Sequence, residues 1–129
     1  YNYIKYMDIK TELIENELKE LQNNLKDKEI ILIKFTADWC GPCKAIKHIC
    51  DEYKEKLNKN VNYYEIDIDE SLELYIKLKS LKQVNGIPAI LCYEKKEERE
   101  YWYCPDDSCL GANKQNVIDF YERCIKKIN

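Results

Sequence analysis

Ile30-Ile31-Leu32-Ile33-Lys34-Phe35 runs through Thr36-Ala37-Asp38-Trp39 into Cys40-Gly41-Pro42-Cys43, and the change of pattern at Cys40 decides the fold. The first six residues are nearly continuous in apolar character, as in a strand buried on both faces. Beyond Cys40 the period changes. Ile46, Ile49, Cys50, Tyr53 and Leu57 fall at spacings of three and four, the stripe of an amphipathic helix. Pro42 is a favoured first-turn residue, so that helix opens inside the C-x-x-C. The two cysteines stand where a buried strand hands over to a helix.

Upstream, Tyr3-Ile4-Lys5-Tyr6 reads as a short edge strand, and Asp8 to about Leu25 as a helix with Ile14, Leu18, Leu21 and Leu25 on one stripe. Downstream, Val61 to Asp69 reads as a second central strand, and Ser71 to about Lys82 as a helix with Leu74, Leu78 and Leu81 on one face. Ala89-Ile90-Leu91-Cys92-Tyr93 follows Pro88 as a strand, with Glu100-Tyr101-Trp102-Tyr103 expected to pair with it across a charged hairpin. Val117, Tyr121, Cys124 and Ile128 mark a last helix. The order β-α-β-α-β-α-β-β-α implies an α/β fold, a mixed central sheet flanked by helices, with residues 1–129 as one domain.

Composition narrows the function. The 129 residues carry 21 Lys plus Arg against 24 Asp plus Glu, a formal charge of −3. That balance disfavours a nucleic-acid partner held through phosphates. The longest purely aliphatic run, Ile30 to Ile33, is far shorter than the roughly 20 residues of a membrane span. Seven cysteines are too few for a disulfide scaffold of this length, and an odd number leaves at least one thiol unpaired. The chain opens on Tyr1 rather than Met, so its start says nothing about a leader. The expectation is a monomeric, cytoplasmic protein that needs no metal or cofactor.

The chemistry lies in Cys40 and Cys43. Unpaired N–H groups at a helix start favour a negative charge, so a thiolate is stabilised there. Cys40 is expected to be the more exposed sulfur and the nucleophile, and Cys43, one turn in, the sheltered sulfur that resolves a mixed disulfide. Gly41 and Pro42 keep the turn between them tight. The same spacing also serves half a zinc site, with Cys104 and Cys109 as its other half. A Gly-Pro pair that opens a helix suits the redox reading better.

Phe35-Thr36-Ala37-Asp38-Trp39-Cys40-Gly41-Pro42-Cys43-Lys44 resembles the active-site segment of the thioredoxin family. Ile66-Asp67-Ile68-Asp69-Glu70 and Gly86-Ile87-Pro88-Ala89 resemble two further family stretches, in the same order. The resemblance spans about Glu29 to Tyr93. It implies the thioredoxin-like fold, a cis-proline at Pro88 facing Cys40 and Cys43, and a substrate groove rimmed by Trp39 and Ile87. It further implies protein disulfides as substrates and a thioredoxin reductase-like protein as recycler. An extended edge at Pro88 would pair with a substrate strand by β-augmentation.

The chain departs from the family at two positions. A buried carboxylate is usual six residues before the first cysteine, where this sequence has Lys34. A lysine is usual four residues before Asp69, where it has Glu65. The expectation is an exchanged ion pair that tunes the cysteine pKa values, the alternative being a Lys34 that snorkels to solvent. Cys50, Cys92 and Cys124 read as core residues, and His48 as a surface one. Cys104-Pro105-Asp106-Asp107-Ser108-Cys109 reads as a polar loop in which Cys104 and Cys109 form a second, local disulfide, act as a second redox relay that exchanges with Cys40–Cys43, or remain two thiols. The leading function is a thiol–disulfide oxidoreductase that reduces protein disulfides. Disulfide oxidase or isomerase activity, or a thioredoxin-fold scaffold, are the alternatives.

Overall fold

The computed structural model describes residues 9–129. Its sheet runs in the order β2-β1-β3-β4, from β1 (Ile30–Thr36), β2 (Val61–Asp67), β3 (Ala89–Glu94) and β4 (Asp107–Leu110). The helices are α1 (Glu15–Asn24), α2 (Gly41–Lys54), α3 (Glu73–Ser80) and α4 (Lys114–Ile128). Central β1 pairs parallel with β2 and antiparallel with β3, which makes the sheet mixed.

The alternation of side chains along β1 creates two cores. Ile30 and Leu32 pack with Ile46, Ile49 and Cys50 of α2 and Phe120, Tyr121 and Cys124 of α4. Ile31, Ile33 and Phe35 pack on the opposite face with Leu18, Leu74 and Leu78 from α1 and α3. Each such side chain, fully buried, contributes about 1.5–3 kcal/mol over its exposed state. A strand covered on both faces must be apolar at successive positions, which is the run that its sequence shows.

Three expected boundaries differ. The edge strand at Tyr3–Tyr6 lies outside the described residues. The first helix starts at Glu15 rather than near Asp8: Lys10 instead bridges to β2, where its N–H donates to the Tyr63 carbonyl at 3.2 Å and its carbonyl accepts from the Glu65 N–H at 2.9 Å. The strand expected at Glu100–Tyr103 is absent. Its place beside β3 is taken by β4, with Leu110 opposite Ala89 and Asp107 opposite Cys92.

The reason is Arg99. Its guanidinium donates to the carbonyls of Glu94 at 2.8 Å and Cys104 at 3.0 Å and to Asp106 Oδ2 at 2.7 Å, which folds residues 95–106 back on themselves. Asp106 then joins the end of the sheet: its N–H donates to the Cys92 carbonyl at 2.8 Å, and its carboxylate accepts from the Glu94 N–H at 2.7 Å. Trp102 and Tyr103 pack into the α1/α3 core, and Gln22 donates to the Trp102 carbonyl at 2.8 Å. The aromatic character that mimics a strand thus serves packing beneath the sheet.

Burial pushes the Asp106 carboxyl up, but the hydrogen bonds from Arg99 and the Glu94 N–H outweigh it and hold the group below the ordinary value of 3.8. A depressed carboxyl pKa stabilises the fold above the unfolded-state value, and that stabilisation is lost as pH falls through the lower folded value. Replacing Arg99 leaves a carboxylate only 7 % exposed without its main partner. Arg99→Met is therefore expected to cost about 2–4 kcal/mol in urea denaturation at pH 7. The deficit should shrink as acid protonates Asp106.

Candidate active site

β1 ends at Thr36, and a turn closed by the Cys40 N–H on the Ala37 carbonyl at 3.2 Å delivers Cys40 to the start of α2. Cys40 is the N-cap of that helix, and its Sγ accepts a hydrogen bond from the Cys43 N–H at 3.2 Å. Pro42, in the first turn, has no N–H of its own, so the donor nearest the cap sulfur comes from Cys43. Cys40 and Cys43 are joined as a disulfide, with Cα atoms 5.2 Å apart.

The pair is packed against Ala37, Ile68 and Ile87. Cys40 Sγ lies 3.8 Å from the Ile87 carbonyl oxygen, and the Ile87–Pro88 peptide is cis. Ile87 precedes β3 and its N–H has no partner among the described residues, whereas the Pro88 carbonyl accepts from Gly111 at 2.9 Å. Gly111 meets that bond with φ +94°, a conformation that suits glycine. Trp39 stands at the rim, 64 % exposed, its indole N–H donating to Asp69 Oδ2 at 2.7 Å. Gly41 and Pro42 are both exposed.

The structure corrects three expectations. The first is that Cys40 is the more exposed sulfur: Cys40 and Cys43 are 3 % and 4 % exposed, because Ile68 and Ile87 cover both. What separates the two sulfurs is the hydrogen bond that Cys40 receives at the helix start. The second is the exchanged ion pair. Lys34 and Glu65 are register partners on β1 and β2, but Glu65 pairs with Lys54 of α2 at 3.2 Å, and Lys54 also bridges Asp51 at 3.1 Å. Lys34 has no ion-pair partner among the described residues. At 3 % exposure it is buried, with Gln22 one of two polar side chains so placed among the described residues.

The third concerns the polar loop expected at Cys104–Cys109: its second cysteine belongs to a strand, and both are free thiols, one of the readings left open. Cys109 is a residue of β4, opposite Ile90, and is buried in the α2/α4 core. Cys104 lies in the Arg99 loop, before the chain enters that strand. Cys50, Cys92 and Cys124 share the core of Cys109. Among the described residues no cluster of His, Cys, Asp or Glu is arranged to hold a metal, and none of the helices is long and apolar enough to cross a membrane. His48 is exposed. Sequence reasoning passed over Asp69 as the partner of the Trp39 indole. The signal was the polar N–H of an exposed tryptophan beside an acidic strand end.

The thioredoxin family model matches residues 12–108. The chain belongs to the thioredoxin family. The thioredoxin of Rickettsia typhi is 28% identical over 125 residues, covering 96% of this chain and 98% of that protein. Thioredoxin H-type 2 of Nicotiana tabacum is 40% identical over a shorter stretch of 52 residues, 40% of this chain and 43% of that protein. The reduced thioredoxin pre-protein of Schistosoma mansoni superposes with a TM-score of 0.60 at 21% identity, covering 90% and 98% of the two chains, a likeness of fold. Family membership and the paired cysteines make this thioredoxin-family protein a thiol–disulfide oxidoreductase.

With five free cysteines, four of them buried, alkylation of the oxidised native protein should label Cys104 alone. Unfolding in guanidinium without reductant should expose all five. Mass spectrometry reads both counts, and a peptide linking Cys104 to Cys109 would contradict the structure.

Proposed function

We propose that the chain is a reductase of protein disulfides in which Cys40 attacks and Cys43 resolves. The observation that carries this reading is the Cys43 N–H aimed at Cys40 Sγ at 3.2 Å, within the positive end of a 14-residue helix. On reduction the same donor and dipole favour Cys40 as the thiolate. That thiolate attacks one sulfur of a substrate disulfide; the substrate bond breaks, a mixed disulfide forms, and the leaving substrate thiolate takes a proton. The Cys43 sulfur then attacks Cys40 Sγ and expels the second substrate thiolate. The substrate gains two electrons and two protons, and the Cys40–Cys43 bond seen here is the oxidised product.

The surroundings support that sequence. Ile87 offers a free N–H beside the sulfurs, which suits pairing with an extended substrate strand. Trp39, Gly41, Pro42 and Pro88 complete the rim, and Gly41 leaves open space where a side chain would stand. Recycling is assigned to a thioredoxin reductase-like partner, and the five unpaired thiols suit a reducing compartment such as the cytoplasm.

Cys43→Ser should accumulate a mixed disulfide with an oxidised protein substrate through Cys40, and Cys40→Ser should trap nothing and lose the activity. Turnover that survives in Cys40→Ser would overturn the assignment. A reductase should show a potential near about −270 mV in thiol/disulfide buffers, and a value near about −180 mV or above would make the chain an isomerase or oxidant. Because Lys34 has no ion pair among the described residues, with Glu65 held by Lys54, Lys34→Met is expected to move that potential by no more than about 20 mV.

A further inference from the structure

Of the five thiols outside the redox pair, Cys50, Cys92, Cys109 and Cys124 lie together in the α2/α4 core. Two of these, Cys92 and Cys124, are brought face to face by the way α4 docks. Cys92 stands on β3 opposite Asp107 of β4, and Arg123 of α4 binds that aspartate through two hydrogen bonds of 2.8 and 3.0 Å. One turn on, Lys127 reaches Asp107 at 3.9 Å and Glu94 at 3.7 Å. Glu94 is two residues beyond Cys92 and so on the same face of the strand. Cys124 therefore sits between two anchors that both grip the sheet beside Cys92. Both cysteines are 0 % exposed, and their thiols share a hydrogen bond. Cys50 is engaged elsewhere, with the Tyr121 hydroxyl, and Cys109 stands opposite Ile90.

In the closed fold this dithiol is inert. The thiolate is the reactive form, and the bond from Cys124 together with burial pushes the Cys92 thiol far above its ordinary value of 9.0. Access requires α4 to lift. No backbone hydrogen bond ties α4 to the sheet among the described residues. It is held by the apolar face of Val117, Phe120, Tyr121, Cys124 and Ile128 and by the ion pairs at its edge. Such a helix can open as a unit while the strand ladder stays intact. Re-docking then returns Cys124 to Cys92.

We propose that Cys92 and Cys124 are a second oxidisable site, a latch that a low-molecular-weight disulfide closes when α4 opens and that ties this helix covalently to β3. In the first step the Cys124 thiolate attacks the small disulfide. That bond breaks, one half stays on Cys124, and the other leaves as a thiolate and takes a proton. In the second step the Cys92 sulfur, giving up its proton, attacks Cys124 Sγ and expels the remaining half as a thiol. The two cysteines lose two electrons and two protons, and the small disulfide becomes two thiols. The new bond closes a loop of about 30 residues, which restricts the unfolded chain and so favours the folded one. The site acts apart from Cys40 and Cys43 and does not depend on the reductase reading.

The test starts from the chain with Cys40 and Cys43 already joined and adds 2-hydroxyethyl disulfide across a urea series that stays below the unfolding midpoint. Cys104 should be modified without urea, which shows that the oxidant is active. A peptide linking Cys92 to Cys124 should appear by mass spectrometry, its rate rising about tenfold or more along the series. The linked chain should unfold at a urea midpoint about 1 M or more above that of the starting chain. Cys50→Ala/Cys109→Ala should form the same link, and Cys92→Ala should stop at a mixed disulfide on Cys124. A link from either cysteine to Cys50 or Cys109 would overturn the latch. So would Cys92 and Cys124 that stay free, or are capped separately, up to the midpoint, and so would a link that leaves the midpoint unchanged.

Discussion

The hydrogen bond from the Cys43 N–H to Cys40 Sγ, 3.2 Å long, constrains much of what lies around it. For a cysteine to cap a helix, the preceding strand must stop and turn within a few residues, which the Ala37–Cys40 turn achieves. For its sulfur to receive the first useful donor of the helix, the position between must give up its own N–H, and Pro42 does so. For the second sulfur to reach the first, it must lie one turn inside, which is the spacing of the motif. The asymmetry between attacking and resolving sulfur is thus electrostatic in origin, since burial treats the two alike.

β1 can deliver Cys40 to that point because it is held on both sides and both faces. Such a strand offers little room for charge, yet Lys34 lies in it. Lys34 is 3 % exposed and has no ion pair among the described residues, so its charge carries a cost that the apolar burial of the rest of β1 offsets. Glu65 across the ladder is left to Lys54, which also holds Asp51. The family's buried ion pair has no equivalent between these two positions.

Sequence patterns were most legible where one physical demand acted alone. The continuous apolar run of β1 and the three-and-four stripes of α2 and α4 reflect burial and nothing else, and they mark these elements closely. The C-x-x-C and the Ile87-Pro88 loop were legible through resemblance as well as chemistry. β4 was not, because Asp107-Ser108-Cys109-Leu110 has the composition of a turn, while Glu100-Tyr101-Trp102-Tyr103 has that of a strand. What reverses their roles is a long-range contact set, Arg99 with Asp106 and Trp102 with α1, which no local propensity encodes. The Cys104–Cys109 question fell with it. Once Cys109 belongs to a strand, its side chain is committed to the α2/α4 core.

The Arg99 loop and the disulfide are held by different kinds of interaction. Away from the disulfide, Asp106 and Arg99 convert charge into structure: the carboxylate accepts from a strand N–H and the guanidinium caps two carbonyls, so the pair fixes where β3 ends and β4 begins. At the disulfide the positioning is different: Cys40 and Cys43 are covered by Ile68 and Ile87, so the sulfurs are held by apolar contact and by one backbone N–H rather than by an ion pair.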